Sequence, residues 1–253
     1  MEGTRILCWF SCGAASAVAA KLAIARNADR LPLEVIYCHI EEEHPDNLRF
    51  LTDCERWLGV PIKVLRNEKF GGSIYRVFEH EKYIVGRFGA PCTRALKKKV
   101  RESYQRPGDV HVFGYHVGEE DRMNRMIDAN ADVREWVPLM DAGLDKADCL
   151  AMVARAGIEL PAMYRLGYKN ANCIGCVKAG AGYWNKIRVD FPEAFDRMAR
   201  LERKIGARIC KQDGQLIYLD ELDPATGDPV KDQPSECGIF CYMAEQEIAA
   251  CEV

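Results

Sequence analysis

The chain has 253 residues, 48% of them hydrophobic, and a formal net charge of −3. This length and composition fit one large α/β domain, or one domain with a tail. The near-neutral charge gives no whole-chain case for nucleic-acid binding, and no apolar stretch reaches the roughly 20 residues that a membrane-spanning helix needs. With no recognisable signal peptide, we expect a cytoplasmic protein without a membrane partner.

The first predicted element is a strand that leads through a turn of small residues into a helix. Ile6–Phe10 is a short apolar run, typical of a strand buried on both faces, and residues 14–25 are rich in helix-forming alanine. Between them lies Ser11-x-Gly13-x-x-Ser16. Small residues and a helix N-terminus together favour a phosphate or sulfate site. Tight packing without a ligand is the alternative.

The following segments alternate between strands and helices. We predict strands at 33–39, 61–65, 109–114 and 133–139, and helices at 46–58, 146–157 and 191–205. This alternation predicts an α/β fold with a doubly wound parallel sheet, in which ligands bind beyond the carboxyl ends of the strands. We expect Ser11, His39 and Glu119 at this edge, where His116 could also contact a bound ligand.

Two charged stretches have less specific interpretations. Glu41, Glu42 and Glu43 are consecutive, so they point in different directions on any regular element, and we predict no metal site there. One of them, or His39, is expected to orient a bound ligand, which is a ribose or a base if the family resemblance given below holds. Lys98 and Lys99 belong to a lysine run, which predicts a solvated helix face.

Twelve cysteines are many for a cytosolic protein. Three of them, Cys8, Cys38 and Cys149, lie in apolar runs and are interpreted as core residues. Others have the spacing of metal ligands: the pair Cys173–Cys176, the pair Cys237–Cys241, and Cys92 ahead of a basic helix. Four thiolates suit either an iron–sulfur cluster or zinc. A redox pair or simple packing remains the alternative.

Five motifs occur in a consistent order along the chain. The first two are Ser11-Cys12-Gly13-Ala14-Ala15-Ser16, which is similar to the pattern SGGxDS, and Ile40-Glu41-Glu42-Glu43-His44-Pro45-Asp46-Asn47, which is similar to an acidic turn followed by an fPET helix. The third is Cys92-Thr93-Arg94-Ala95-Leu96-Lys97, which matches CTxxLK, and the fourth is Gly114 with Glu119 and Arg122, which approximates a strand that ends in Gly and is followed by Glu-Ser and an Arg. The fifth is similar to YxxGYxxxGCxxC and consists of Tyr164, Gly167, Tyr168, Cys173 and Cys176. Together they resemble the PAPS reductase family of the PP-loop (adenine nucleotide α-hydrolase) superfamily. The departures are Cys12, Ala15, Pro91 and Asn172, where the family has Gly, Asp, Cys and Gly.

The resemblance implies a Rossmann-type, doubly wound sheet with an adenine nucleotide across the PP-loop. Mg²⁺ bound together with the nucleotide is one option that it leaves open. The implied nucleotide-binding residues are Phe10, Ser11, Gly13, Ser16, His39, Gly114, Glu119 and Arg122. A [4Fe–4S] cluster, with zinc as the alternative, is implied on Cys92, Cys173 and Cys176, with Cys241 as the fourth ligand. Cys237, in a segment similar to ECGLH, and Lys97 receive catalytic roles. The alternative is that Cys237, and not Cys241, is the fourth metal ligand.

Three functional hypotheses follow. The first is a PAPS-reductase-like enzyme of sulfur chemistry that uses a thiol reductant protein. The second is an ATP pyrophosphatase that adenylates a nucleic-acid or small-molecule substrate for sulfur transfer, and the third is a catalytically inactive nucleotide-binding protein. We predict a PP-loop domain over residues 1–190 and a Cys-containing extension packed on it over residues 191–253, with a homodimer as one option for the assembly.

Overall fold

Alternating strands and helices make up the computed structural model of the chain, which describes residues 4–86, 89–128, 130 and 133–234. The strands are β1 Ile6–Phe10, β2 Leu33–Cys38, β3 Ile62–Leu65, β4 Val110–Val112, β5 Arg134–Trp136, β6 Cys210–Gln212 and β7 Gln215–Ile217. The helices are α1 Ala14–Arg26, α2 Asp46–Leu58, α3 Ile74–Glu81, α4 Pro91–Thr93, α5 Lys99–Tyr104, α6 Glu120–Asp128, α7 Pro138–Asp141, α8 Lys146–Arg155, α9 Ala162–Arg165, α10 Ala181–Asp190 and α11 Pro192–Ile205. Within these residues, no helix is long and apolar enough to cross a membrane.

Five parallel strands form the central sheet in the order β3–β2–β1–β4–β5. Ile6 of β1 lies opposite Leu33 on one side and Val110 on the other. The chain therefore leaves β1 in one direction for β2 and β3, and returns to its other side for β4 and β5. This reversal of strand order is the position at which open α/β sheets bind ligands. The predicted parallel sheet is confirmed.

Helices cover both faces of the sheet. Ile6, Cys8 and Phe10 of β1 pack into a core with α1, α2 and α8, whereas Leu7 and Trp9 point to the opposite face, where α5 and α6 contribute buried side chains. Successive strand residues alternate between faces, so a run that is apolar throughout fits a strand buried on both sides. The doubly wound arrangement is confirmed.

A third buried cluster lies in the C-terminal part of the described chain. The predicted helix over 191–205 is confirmed as α11, and its Phe195, Met198 and Leu201 are all buried in this cluster. They pack there with Trp184 of α10 and Phe78 of α3. Residues on both sides of position 190 thus share one core, and the division of the chain at that position stays a prediction.

Several element bounds are shorter than predicted, including β4 and α8, and two differences have a specific physical cause. The last strand ends at Trp136 because Pro138 occupies the first turn of α7, a position that suits proline. The prediction of a solvated face is correct for Lys99 but wrong for Lys98, which is buried. A π-helical turn over Arg94–Lys98, closed by the bond from the Lys99 N–H to the Arg94 carbonyl, adds a residue and turns Lys98 inward.

Glu202 of α11 is a buried carboxylate that holds the segment after the helix. Its two oxygens accept from the N–H of Ile209 at 2.7 Å and of Leu219 at 2.6 Å. These bonds fix the short antiparallel hairpin of β6 and β7 against the helix. Burial raises the pKa of Glu202 from 4.5 to about 7, although the two N–H donors act in the opposite direction.

This pKa makes stability depend on pH in a defined direction. The folded state binds the Glu202 proton more tightly than the unfolded chain, so the free energy of unfolding falls as pH rises from 4.5 to about 7. At about 1.4 kcal/mol per pH unit, the loss is at most about 3.5 kcal/mol. Urea unfolding of wild type and Glu202→Gln at about pH 5 and about pH 8 measures the difference. An equal pH dependence in both proteins would contradict the prediction.

Candidate functional site

The 11–16 loop connects β1 to α1 at the reversal of strand order. The Ser16 hydroxyl holds it together, since its Oγ accepts from the Ser11 N–H at 3.0 Å and from the Ser11 Oγ at 3.0 Å. The same hydroxyl donates to the Gly13 carbonyl at 2.9 Å. Ser16 is buried and Ser11 half-buried. Ser16 therefore shapes the loop, and Ser11 is the more accessible of the two hydroxyls.

Gly13 occupies the N-cap position of α1. A glycine has no side chain with which to cap the first turn, and a helix cannot satisfy its first N–H groups internally. Those N–H groups and the positive end of the helix dipole make this end of α1 suitable for an anion. The geometry is compatible with the predicted phosphate site.

Cys12 adopts a backbone conformation that sequence reasoning did not foresee. Its φ is +56°, in the left-handed region that non-glycine residues rarely occupy. The SGGxDS pattern has glycine at this position, and glycine adopts the left-handed conformation without strain. Cys12 is fully buried, and its Sγ lies 3.6 Å from the Asn47 carbonyl oxygen. Burial, followed by the nearby Glu43 carboxylate, raises the pKa of the thiol well above 9.0.

Gly114 follows β4 and lies directly against the start of α1. A Cβ at this position would lie 2.8 Å from the Ser16 nitrogen and 2.9 Å from the Ser16 Cα. Both are backbone atoms, which cannot move aside as the end of a side chain can. Gly114 therefore allows the 11–16 loop to approach β4, and this close approach explains the glycine.

Phe10 and His39 end the two strands nearest the loop. The Phe10 side chain is buried and stacks on Phe50, with ring centroids 6.1 Å apart. His39 is half-buried, and its ring lies edge-on to Tyr37 at 6.0 Å. Its position at the carboxyl end of β2 agrees with the expected edge of the sheet.

The three glutamates that follow β2 have three different environments, as predicted from their consecutive positions. Glu41 is exposed and lies 3.9 Å from Arg66. Glu42 accepts from the Ser73 hydroxyl and the Ile74 N–H, and so caps α3. Burial raises the pKa of Glu42. Glu43 points inward, towards the floor of the 11–16 loop.

Glu43 is the centre of a buried polar network that joins four segments. One oxygen accepts from the Tyr37 hydroxyl at 2.7 Å and from Asn47 Nδ2 at 3.0 Å. Its other oxygen lies 3.7 Å from the Nζ of Lys97. Asn47 Nδ2 also reaches the Ala171 carbonyl at 3.3 Å, close to the cysteine pair. The Oδ1 of Asn47 is buried without a hydrogen-bond partner among the described residues.

This network changes the interpretation of Lys97. The side chain is buried and its charge is balanced by Glu43, beneath the loop. Lys97 therefore stands near the predicted nucleotide site, but its ammonium is already engaged. Arg94, three residues earlier, lies 3.5 Å from Glu81.

The predicted pair Glu119 and Arg122 forms a second polar group at the same edge. Arg122 donates to Glu119 and lies over the Tyr115 ring at 5.1 Å. The Nε2 of His116 is 3.4 Å from the other Glu119 oxygen, and its Nδ1 accepts from the Gly118 N–H at 3.2 Å. The three polar side chains are thus brought together after β4, in agreement with the predicted rim.

Cys173 and Cys176 lie in one turn, called here the CxxC turn. The Tyr183 hydroxyl accepts from the N–H groups of Gly175 and Cys176, each at 3.1 Å, and donates to the Cys173 carbonyl at 3.2 Å. Burial and the two neighbouring thiols raise the pKa of Tyr183. Ile174, inside the turn, donates its N–H to the Glu42 carbonyl at 2.9 Å. The CxxC turn is therefore held against the acidic turn.

The described part of the chain brings only some of the predicted metal ligands together. Cys92, Cys173 and Cys176 are half-buried thiols packed against the same hydrophobic cluster. No three histidine, cysteine or carboxylate side chains among the described residues converge on a metal position. Cys237 and Cys241, the predicted nucleophile and fourth ligand, lie outside the described residues. The remaining cysteine prediction is confirmed, because Cys8, Cys38 and Cys149 are buried.

A cleft of about 620 Å³ lies beside the acidic turn, at the start of α11. It is lined by Glu41, Glu42, Glu43, Pro45, Tyr75, Ile174, Asp190, Phe191, Pro192, Glu193, Ala194 and Arg197. The guanidinium of Arg197 stacks over Tyr75 at 3.6 Å. Because the lining includes Glu43 and Ile174, the cleft adjoins both the polar network and the CxxC turn.

No protein-family model matches the sequence, and no curated protein matches it. Solved structures do match. One is a phosphoadenylyl-sulfate (PAPS) reductase from Candida auris in a phosphate complex, with 12% identity and a TM-score of 0.46 over 66% of this chain and 80% of that chain. Another is the U34-tRNA thiolase NcsA from Methanococcus maripaludis with its [4Fe-4S] cluster, with 13% identity and a TM-score of 0.43 over 80% of this chain and 66% of that chain. Both TM-scores are below 0.5, so we assign the fold from the strand order of this chain itself.

Proposed function

We propose that this chain is a PAPS-reductase-like PP-loop enzyme that binds an adenine nucleotide over the 11–16 loop. The observation that carries the proposal is the position of this loop. It joins β1 to the uncapped N-terminus of α1, at the reversal of strand order beside Gly114. The phosphate or sulfate groups would contact the Ser11 hydroxyl and the first N–H groups of α1. The polar group of Glu119 and Arg122 would lie at the same edge.

Reductase chemistry fits the loop better than adenylation does. Ala15 stands where SGGxDS has its aspartate, and it is buried in the α1 core. The loop therefore supplies no carboxylate, so any Mg²⁺ would arrive with the nucleotide phosphates. Adenylation of a nucleic acid or small molecule is the second candidate, since both reactions use the same nucleotide position.

The reductase reaction requires a thiolate outside the loop. Cys237 would attack the sulfonate sulfur, the S–O bond to the nucleotide phosphate would break, and the nucleotide would leave with that electron pair. A thiol reductant would then attack the cysteine sulfur, releasing sulfite and leaving a disulfide, which a second reductant thiol reduces. The described cysteines of the core are poor candidates for this role, because burial raises their pKa and keeps them protonated.

We also propose a thiolate-ligated centre, an iron–sulfur cluster in preference to zinc, on Cys92, Cys173 and Cys176 with Cys241. The donor set is soft, which suits either metal type, and the preference for an iron–sulfur cluster rests on the family resemblance alone. The CxxC turn supplies two thiols from one rigid segment, and Cys92 borders the same hydrophobic cluster. Such a cluster would carry a net negative charge, because its four thiolates outweigh the charge of the iron–sulfide core.

The nucleotide site is tested by replacing Gly13 with valine. The added side chain would fill the small-residue loop, so calorimetry with adenosine phosphosulfate or ATP should show binding lost while circular dichroism stays unchanged. Ala25→Val, at the exposed end of the same helix, serves as the control and should bind normally. Release of sulfite with a dithiol supports the reductase, whereas release of pyrophosphate from ATP supports adenylation. Unchanged binding by folded Gly13→Val would refute the site.

A further inference from the structure

Glu43 is a buried carboxylate that joins three segments beneath the 11–16 loop. Its Oε2 accepts from the Tyr37 hydroxyl, near the end of β2, at 2.7 Å and from Asn47 Nδ2, in the first turn of α2, at 3.0 Å. Its Oε1 lies 3.7 Å from the Nζ of Lys97. The side chains of Glu43 and Lys97 are only 4% and 9% exposed. Water therefore screens this ion pair little, and each charge depends on the other.

Lys97 reaches this position from an unusual stretch of backbone. It belongs to the π-helical turn over Arg94–Lys98. Such turns are rare, and those inside α-helices are frequently found at functional sites. A lysine on an exposed helix face would need no turn of this kind. The π-helical turn is therefore a second observation, independent of the ion pair, that points to a function for the buried Lys97 side chain.

The contact between Glu43 and Lys97 balances charge without a hydrogen bond. A separation of 3.7 Å between Nζ and Oε1 is too long for one. The hydrogen bonds of the carboxylate come instead from Tyr37 and Asn47, which fix its orientation. A lysine ammonium has three N–H donors, and Glu43 accepts none of them. The pair therefore leaves the ammonium able to donate towards an anion.

The Cys12 thiol shows how close this pair lies to the 11–16 loop. Its Sγ lies 3.6 Å from the carbonyl oxygen of Asn47, whose side chain binds Glu43. Burial raises the pKa of the thiol most, the Glu43 carboxylate raises it further, and the Lys97 ammonium acts in the opposite direction. Both charges thus act on the floor of the loop that is proposed to hold phosphate or sulfate.

We propose that Glu43 is a positioning residue of the nucleotide site, which acts through Lys97 by holding its ammonium beneath the 11–16 loop. A buried ammonium that has lost its counter-charge either releases its proton or moves towards water. In both cases, the anionic groups of the nucleotide would lose a positive charge below them. The inference rests on the proposed function, because it assumes that the nucleotide binds over this loop.

A double-mutant cycle tests whether Glu43 acts through Lys97. Calorimetry measures binding of adenosine phosphosulfate or ATP, whichever the wild type binds, to full-length wild type, Glu43→Gln, Lys97→Met and the double variant. Each single variant should bind about tenfold more weakly, the effect of one charge-assisted contact. The double variant should bind no more weakly than Lys97→Met alone, because Glu43 has no further role once the ammonium is absent.

Tyr37→Phe is the matched control, since it removes a hydrogen bond to the same carboxylate and keeps both charges. It should bind within about twofold of wild type, whereas a purely structural role of the network would weaken its binding as much as that of Glu43→Gln. Glu43→Asp keeps the charge and should bind more tightly than Glu43→Gln. This comparison decides the proposal if Lys97→Met, which leaves Glu43 buried without its partner, fails to fold.

Four results would overturn the proposal while leaving the nucleotide site in place. They are wild-type binding by Glu43→Gln, equal binding by Glu43→Asp and Glu43→Gln, a loss in Tyr37→Phe as large as that in Glu43→Gln, and additive losses in the double variant. Absence of nucleotide binding in the wild type would overturn the proposed function and this inference with it.

Discussion

Replacing Gly114 with alanine should abolish nucleotide binding and lower the stability of the fold. The new Cβ would lie 2.8 Å from the Ser16 nitrogen and 3.0 Å from the Ala15 carbonyl carbon. These backbone atoms belong to the first turn of α1, whose N–H groups are proposed to hold the phosphate or sulfate. Overpacking of this kind costs about 1–3 kcal/mol, and the displaced loop would no longer present its donors to the ligand.

Thermal unfolding and calorimetry with an adenine nucleotide measure the two effects of Gly114→Ala. Gly108→Ala is the matched control, because Gly108 lies just before β4, as Gly114 lies just after it, but a Cβ at Gly108 would meet nothing within 4 Å. That variant carries only the backbone cost of a φ of +87°, about 1 kcal/mol, and should bind nucleotide normally. Normal binding by Gly114→Ala would show that the loop tolerates displacement and that the ligand does not depend on it.

The central sheet and its helices could be predicted because their signals are local. β1 coincides with the apolar run Ile6–Phe10, and α2 coincides with the predicted 46–58 helix. Gly59, with a φ of +77°, ends that helix in the left-handed conformation that favours glycine. Buried strands, helix periodicity and glycine stops can each be recognised within about ten residues of sequence.

The polar network under the 11–16 loop could not be predicted, because its members come from separate segments. Tyr37, Glu43, Asn47 and Lys97 meet only through the fold. Nothing in a single strand or helix indicates that Tyr37, the third residue from the end of an apolar strand pattern, donates to a carboxylate. The CTxxLK motif identified Lys97, but its partner Glu43 depends on the tertiary structure.

Local backbone conformation is the second feature that could not be predicted from the sequence. The expected exposure of Lys98 assumed a regular α-helix, whereas the π-helical turn at Arg94–Lys98 changes which side chains point inward. Similarly, the sequence draws attention to Gly13 as the flexible residue of the loop, but the left-handed conformation occurs at Cys12. Propensity favours glycine at such positions and does not reveal when cysteine takes its place.

A chain that ends at Pro234 should lose most of its bound metal and become sensitive to oxygen. This truncation keeps Asp232 and its bonds to α10, so the described fold should remain intact. It removes Cys237 and Cys241, and leaves only three of the proposed ligands, Cys92, Cys173 and Cys176. Closed thiolate sites need about four ligands. The described thiols alone do not form a metal position, and the proposal assigns the fourth ligand to the part of the chain that this truncation removes.

Iron and zinc analysis of anaerobically purified protein, together with the visible spectrum, measures this loss. A chain that ends at Glu245 is the matched control, because it removes Cys251 and keeps both Cys237 and Cys241; it should retain its metal. Cys241→Ser and Cys237→Ser in the full-length chain then separate the two roles. Loss of metal with Cys241→Ser alone assigns the fourth ligand to Cys241 and leaves Cys237 free to act as the nucleophile. Full metal loading of the chain that ends at Pro234 would exclude both tail cysteines as ligands.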